Sequence, residues 1–244
     1  MLILLLAAAA TTLATGLGAI PVFWLGGRAS AWQSALYGLA AGAMTVASIV
    51  GLLEPGLDEG SAGAVVAGFV IGVLFLVLAR VAVNRSEVEY GGRTGPGAKL
   101  SVLVFLVLFV HSFPEGFSIG TAYASDVSGL SLFVILAIGL QNVPEGTSVA
   151  VPMAEAGYSH RQQFWAAVLT SVPQPIGAVI AYLLVRTFED LLAVSFGFAA
   201  GAMLSLVASD LAPRALRGGG AQRGTLGALG GAAVMLGLSA ALGV

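Results

Sequence analysis

The sequence predicts an all-α, polytopic membrane protein with eight transmembrane helices. Of its 244 residues, 58% are apolar and only 9% are charged, and the mean hydropathy is +0.98. A soluble domain carries about 25% charged residues, so this chain has too few charges to cover a globule with a hydrated surface. The composition therefore excludes an ordinary cytosolic enzyme, a nucleic-acid-binding protein and a disordered protein.

Eight apolar runs follow one another along the chain, each close to the roughly 20 residues that a membrane-spanning helix needs. They leave no room for a soluble domain, so we predict a single transmembrane domain over residues 1–244. The chain opens directly on an apolar run with no positively charged segment before it, which favours a true first span over a secretory signal. The predicted spans, numbered 1 to 8, are 1–25, 33–53, 62–83, 99–123, 129–153, 162–185, 190–209 and 223–244. The longest connection, 84–98, has the Gly, Pro and charged residues of an exposed loop.

The basic residues predict the orientation of the bundle. With both termini outside, nine of the ten basic residues fall on the cytoplasmic side and only Arg186 falls outside. Basic residues are enriched in cytoplasmic loops, so we predict a multi-pass protein of the cytoplasmic membrane with both termini extracellular. The outer connections hold acidic residues instead, which attract cations to that face. The nine cytoplasmic basic residues are Arg28, Arg80, Arg85, Arg93, Lys99, Arg161, Arg214, Arg217 and Arg223.

Two pairs of similar internal segments predict an inverted repeat. Span 2 contains GLAAGAM at 38–44 and span 7 contains GFAAGAM at 197–203, while span 4 contains HSFPEG at 111–116 and span 5 contains QNVPEG at 141–146. In each pair the two spans cross in opposite directions, which is typical of inverted-topology repeats in transporters. Small-residue runs also recur in unrelated membrane proteins because they let helices approach closely. The paired PEG motif is therefore the stronger of the two signals.

Ionisable residues inside spans 4 and 5 predict a cation site. An ionised side chain near the centre of a membrane helix costs about 2.5–3.5 kcal/mol on insertion scales, so Glu115 and Glu145 need a compensating partner. His111 and Glu115 are four residues apart, as are Gln141 and Glu145, so each pair shares one helix face. If Glu115 lies level with Gln141, all four donors meet at one depth. Three further polar residues extend the candidate set: Ser112, Asn142 and Asp210.

The donor types indicate a transition metal. Cysteine is absent, so no thiolate contributes, and imidazole with carboxylate suits zinc, iron, manganese, cobalt, nickel or cadmium. A calcium or magnesium site would be all oxygen. Pro114 and Pro144 lack an N–H group and free the carbonyls of Val110 and Leu140, which adds oxygen donors at membrane depth. A metal-bound imidazole must be neutral, so we expect occupancy to fall on acidification.

Each candidate also has a structural explanation. His111 fits a hydrogen-bonded histidine of the bundle, and Gln141 or Asn142 fits an interhelical hydrogen bond. Asp210 fits a charge at a helix end. Gln174 stands between two prolines and marks a broken helix in span 6, and its contact with an ion is open.

Two other functional classes compete with metal transport. A proton-coupled carrier of a non-metal substrate would use Glu115 and Glu145 as a carboxyl pair that shares a proton. An intramembrane metalloenzyme would carry H-E-x-x-H on one helix, and spans 4 and 5 lack that motif. We therefore predict a transporter and not an enzyme.

At HSFPEG and QNVPEG the sequence resembles the ZIP family of metal transporters. The resemblance extends to ATGLGAIP at 14–21 and GFAAGAMLSLVASDLAP at 197–213, and it covers essentially the whole chain. It implies eight helices in a three-two-three arrangement, extracellular termini, a homodimer as in many members, and uptake of divalent metals into the cytoplasm.

The resemblance also implies two metal positions that share both glutamates. One falls on the four paired residues, and the adjoining one on the flanking polar residues and the glutamates. The first set is His111, Glu115, Gln141 and Glu145, and the second is Ser112, Glu115, Asn142, Glu145 and Asp210.

Four departures from the family pattern lower the charge or donor strength of the site. Ser112 stands where many members have Asn, and Gln141 where many have His. Asp210 stands where Glu is common, and Gln174 where span 6 often has Glu. The 84–98 loop lacks the histidine cluster of some members. The predicted substrate is a divalent metal ion, zinc foremost, with iron, manganese or cadmium as further possibilities. No cofactor and no nucleic-acid partner are predicted, and the lipid bilayer is the surrounding partner.

Overall fold

The computed structural model of the protein describes residues 1–85, 96–217 and 220–244, and it is all-helical over those ranges. Eight helices in this part of the chain are long and apolar enough to cross a membrane, which confirms the predicted fold class and span number. Residues 86–95 of the predicted loop 84–98 lie outside the described ranges. The helices keep the span numbers and are Leu2–Leu25, Arg28–Asp58, Ala62–Arg85, Pro96–Ala124, Leu130–Glu155, His160–Thr187, Glu189–Ala215 and Ala221–Leu242.

Spans 2 and 7 continue beyond their predicted ends at 53 and 209. In span 2, a π-helical turn at Ile49–Leu53 leads directly into an α-helical turn at Glu54–Asp58, and in span 7 a π-helical turn at Val207–Leu211 itself crosses the predicted end. Asp210 therefore lies within span 7 and not at its end. The helices extend past the predicted span ends because hydropathy marks where apolar side chains stop, whereas backbone hydrogen bonds decide where a helix stops. Turns of this kind occur frequently at functional sites.

Span 6 is broken, as its prolines predict. It consists of two α-helices, His160–Thr170 and Pro173–Thr187, which meet at a turn just before Pro173. Pro175 has no N–H to donate to the carbonyl of Ser171, which accepts instead from the Gln174 N–H at 3.0 Å. The Thr12 hydroxyl of span 1 donates to the same carbonyl at 3.1 Å. The break therefore ties span 6 to span 1.

Glycines bring the spans together in four close pairs. In each pair, a methyl group added at the glycine would overlap a backbone carbonyl of the partner span. Helices in a membrane gain no hydrophobic driving force on pairing, so close backbone approach and packing hold them together. The contacts are Gly18 with Val143 for spans 1 and 5, Gly120 with Ala178 for spans 4 and 6, Gly42 with Ala228 for spans 2 and 8, and Gly72 with Phe198 for spans 3 and 7.

Spans 4 and 5 lie in the interior of the bundle. Of the most apolar stretch of span 5, 67% is buried, against 17% for span 8. Spans 3 and 8 turn large apolar side chains outward, among them Val66, Leu74, Leu226 and Leu229. Those faces suit lipid contact, whereas the candidate residues of spans 4 and 5 are enclosed by protein.

Candidate functional site

Four candidate ligands, two on span 4 and two on span 5, are buried together. His111, Glu115, Gln141 and Glu145 are each exposed by 3% or less. The carboxyl groups of Glu115 and Glu145 are near enough to influence each other's charge. The structure thus holds two neighbouring acidic side chains in the interior, which is costly unless something neutralises or bridges them.

Unpaired polar atoms concentrate on these four residues. Among the described residues, seven buried side-chain nitrogen or oxygen atoms have no hydrogen-bond partner, and five of the seven belong to this group. Leaving a buried polar atom unpaired costs about 1–3 kcal/mol, so such a concentration needs an explanation beyond packing. The five atoms are Nδ1 of His111, Oε1 of Glu115, Oε1 and Nε2 of Gln141, and Oε1 of Glu145.

A neighbouring group of polar side chains is paired instead, and we call it the amide network: Thr11, Asn142 and Gln174. Gln174 Nε2 donates to Glu115 Oε2 at 2.8 Å and to Asn142 Oδ1 at 3.1 Å. Asn142 Nδ2 donates to Gln174 Oε1 at 3.1 Å and to the Thr11 carbonyl at 2.7 Å. The Thr11 hydroxyl donates to Gln174 Oε1 at 2.9 Å. Asn142 is thus an interhelical hydrogen-bonding residue, whereas neither amide atom of Gln141 is paired.

The sequence left the role of Gln174 open and did not indicate that span 1 contributes to this network. Three threonines, Thr11, Thr12 and Thr15, interrupt the apolar run of that span. All three are buried, and each contacts Gln174 or Ser171 in span 6. Clustered hydroxyls on one face of a membrane helix are the signal that would have indicated this contact.

Ser112 lies beside one of the four candidate ligands, whereas Asp210 belongs to a separate group of charges. Ser112 is fully buried beside Glu115, and its hydroxyl donates to the Leu108 carbonyl at 3.0 Å. Asp210 Oδ1 accepts from Arg214 Nε at 3.0 Å and lies 3.4 Å from Arg80 Nη2. Asp210 is therefore the centre of an ion-pair cluster between spans 3 and 7.

We expect Asp210→Asn to destabilise the folded protein. The substitution leaves the Arg80 and Arg214 guanidinium groups without their carboxylate. Their side chains are 34% and 27% exposed, so water screens part of the loss, and we expect about 1–3 kcal/mol. A lower midpoint of thermal unfolding in detergent would report it, with the exposed acid Asp190→Asn as the control. Equal midpoints for the two variants would show that the ion pairs add nothing.

The space around the four candidate ligands of spans 4 and 5 is closed. A gap beside His111 and Glu115, lined also by Leu76 and Met203, has a volume near 0 Å³, too small for a water molecule. In the described part of the chain, no three His, Cys, Asp or Glu side chains converge on one point closely enough to hold a metal ion by themselves. Any ion held here would need amide or carbonyl donors as well, or a small rearrangement of the spans.

Larger cavities open at the two ends of the bundle. One of about 520 Å³ is lined by acidic residues from three connections, among them Glu59, Asp126 and Glu189. Another of about 350 Å³ lies at the opposite end, where Tyr37 and Arg214 line it. The acidic cavity faces the side predicted to be extracellular. The carboxylates at this end attract cations, and Arg186, which also lines the cavity, offsets part of their charge.

Known proteins resemble this chain over most of its length. Residues 91–239 match the family described as ZIP Zinc transporter. The zinc transporter GufA of Myxococcus xanthus is 31% identical over 94% of this chain and 95% of its own length. The zinc transporter ZIPB of Bordetella bronchiseptica is 34% identical over 98% of this chain and 81% of its own. A putative zinc transporter of Arabidopsis thaliana is 37% identical over 84% of this chain, which spans 33% of that longer protein. The chain therefore belongs to the ZIP zinc transporter family, and it is a multi-pass membrane transporter and not an enzyme.

Proposed function

We propose that this protein takes up divalent transition-metal ions, zinc foremost, into the cell, and that His111, Glu115, Gln141 and Glu145 bind the ion between spans 4 and 5. The unpaired buried atoms on these four side chains carry the proposal. An imidazole nitrogen, carboxylate oxygens and an amide oxygen are donors that zinc, iron, manganese and cadmium accept. The relatives named as zinc transporters favour zinc as the cargo.

The proposed direction of transport is inward across the cytoplasmic membrane. The acidic cavity would receive the ion on the outer side, and the cavity lined by Tyr37 and Arg214 would release it. This orientation, with both termini extracellular, rests on the nine basic residues of the opposite side. The predicted homodimer stays a prediction.

We also propose the three-two-three arrangement with an inverted repeat. Exchanging spans 1, 2, 3 and 4 with spans 6, 7, 8 and 5 converts the 1–5 pair into the 6–4 pair and the 2–8 pair into the 7–3 pair. Gly38 and Gly42 approach span 8 as Gly197 and Gly201 approach span 3. These four glycines are the matching positions of GLAAGAM and GFAAGAM, and a π-helical turn follows each of the two segments. The agreement between pairing and sequence supports the repeat.

Uptake by purified protein tests the proposed function. Wild-type protein in liposomes that enclose a fluorescent metal reporter is offered zinc, iron(II), manganese, cadmium or calcium, with and without a pH gradient. We expect a zinc signal well above that of empty liposomes and none with calcium, because the imidazole disfavours calcium. Proton entry without metal entry would support instead the proton-coupled carrier of a non-metal substrate.

Zinc affinity is expected to fall on acidification. Protons compete with the metal for the carboxylates and the imidazole, so the Kd should be higher at about pH 5.5 than at about pH 7.5. Calorimetric titration in detergent measures it, and Glu115→Gln should flatten the dependence because it removes one competing proton site. The same Kd at both pH values would contradict ligation by these ionisable groups.

A further inference from the structure

We infer that Gln174 restricts the site to a single ion, because its amide N–H groups cover the oxygens that an adjoining cation would need. The inference rests on the proposed function and concerns the number of ions bound at the same site. It also bears on the second metal position that the family resemblance implies at Ser112, Asn142 and Asp210. The structure divides the polar groups around Glu115 into one unpaired side and one fully paired side.

The two carboxylate oxygens of Glu115 differ in what they can offer. Oε1 has no partner, whereas Oε2 accepts from Gln174 Nε2 at 2.8 Å. In the common bridging mode, a glutamate gives one oxygen to each of two ions. Here the second oxygen already faces an N–H group, whose partial positive charge stands where an adjoining cation would bind.

Asn142, the amide expected at the adjoining position, is covered in the same way. Its Oδ1 accepts from the other N–H of Gln174 at 3.1 Å. Its Nδ2 donates to the Thr11 carbonyl and to Gln174 Oε1. An amide nitrogen is a donor and offers a metal no lone pair. Oδ1 is therefore the one side-chain atom that Asn142 could offer a second ion, and it already faces an N–H group of Gln174.

The orientation of the Gln174 amide is fixed by all four of its hydrogen bonds. Its oxygen accepts from Thr11 and Asn142, and its nitrogen donates to Glu115 and Asn142. Turning the amide over would set its oxygen against the Glu115 carboxylate. The N–H groups therefore stay directed at Glu115 and Asn142 without help from a ligand.

Asp210 is likewise committed to other partners. Its Oδ1 is held by Arg214 at 3.0 Å and by Arg80 at 3.4 Å. Two guanidinium groups supply the positive charge that a metal would otherwise supply to this carboxylate. Three of the oxygens expected at the adjoining position thus already accept from N–H donors of the protein. These oxygens are Glu115 Oε2, Asn142 Oδ1 and Asp210 Oδ1.

Gln174→Glu tests the inference, because it replaces the two N–H donors with a carboxylate oxygen and uncovers Glu115 Oε2 and Asn142 Oδ1. Purified protein is dialysed against excess zinc, and bound zinc per chain is measured by plasma mass spectrometry and by calorimetric titration. We expect one ion per wild-type chain and two per Gln174→Glu chain. Gln162→Glu is the matched control on the same span, since Gln162 caps the helix with its side-chain oxygen and glutamate does the same. The control should bind one ion.

The outcomes separate this inference from the proposed function. Two ions per wild-type chain, or one per Gln174→Glu chain, would overturn the inference and leave zinc transport intact. No bound zinc in the wild type would reject the proposed function, and the inference with it. If Gln174→Glu does not yield folded protein by size-exclusion chromatography, the wild-type ratio still decides, because a ratio of two contradicts the inference directly.

Discussion

Replacing Glu145 with alanine is expected to abolish zinc uptake while leaving the protein in the membrane. Glu145 provides one of two carboxylates in the proposed site, and its Oε1 is buried without a partner. Removing partners that only support metal ligands costs about 10–100-fold in affinity or activity, so loss of a ligand should cost more than about 100-fold. The fold should survive because the substitution removes a buried acid, which is itself costly to hold in a membrane.

Transport and folding are measured separately for this variant. Uptake is followed in liposomes with an enclosed zinc reporter, and folding by the elution profile in detergent. Glu54→Ala is the control, because Glu54 is an exposed acid that lines neither of the two end cavities. Near wild-type flux through purified Glu145→Ala protein would sink the assignment of the site.

The second large effect is expected for Gly146→Val, which should prevent the protein from accumulating in the membrane. A Cβ at this position would overlap the backbone carbonyl of Thr15 in span 1, and backbone yields less readily than a flexible side chain. Overpacking typically costs about 1–3 kcal/mol and occasionally more, and here spans 1 and 5 must separate to relieve it. Separation also breaks the hydrogen bond from Thr147 to the Gly18 carbonyl at 2.7 Å.

A matched control for this variant lies on the same span. Gly139→Val introduces the same side chain where no heavy atom of another span lies within 4 Å of the added Cβ. Yield in the membrane and monodispersity in detergent are compared for the two variants. Equal behaviour would show that the close approach at Gly146 is not needed for folding.

The architecture was predictable where a local signal sufficed. Each apolar run is as long as a membrane is thick, so eight spans follow from the sequence without any knowledge of packing. The break in span 6 follows from two prolines whose missing N–H groups act within the same turn. The ends of spans 2 and 7 were not predictable in this way, because helical backbone hydrogen bonding continues past Glu54 and Asp210, the charged residues that end the hydropathy signal.

The residues proposed to bind the ion were predictable from the sequence, whereas the contacts of the residues around them were not. His111 and Glu115 stand out because charge is rare in this chain and a four-residue spacing puts them on one helix face. The contacts of Gln174 depend on which span packs against spans 4 and 5, and no pattern within span 6 gives that information. The same holds for Asp210, whose partner Arg80 is 130 positions away in the sequence.

The closed packing around His111 has a kinetic consequence. The gap beside it has no room for water, and none of the four proposed ligands lines either of the large end cavities. An ion bound at the proposed site therefore has no open path through this arrangement of helices, and we expect each crossing to wait for a collective motion, which takes about microseconds to milliseconds in proteins. We then expect a flux that saturates as the external zinc concentration rises and that is too slow to be resolved as a single-channel current.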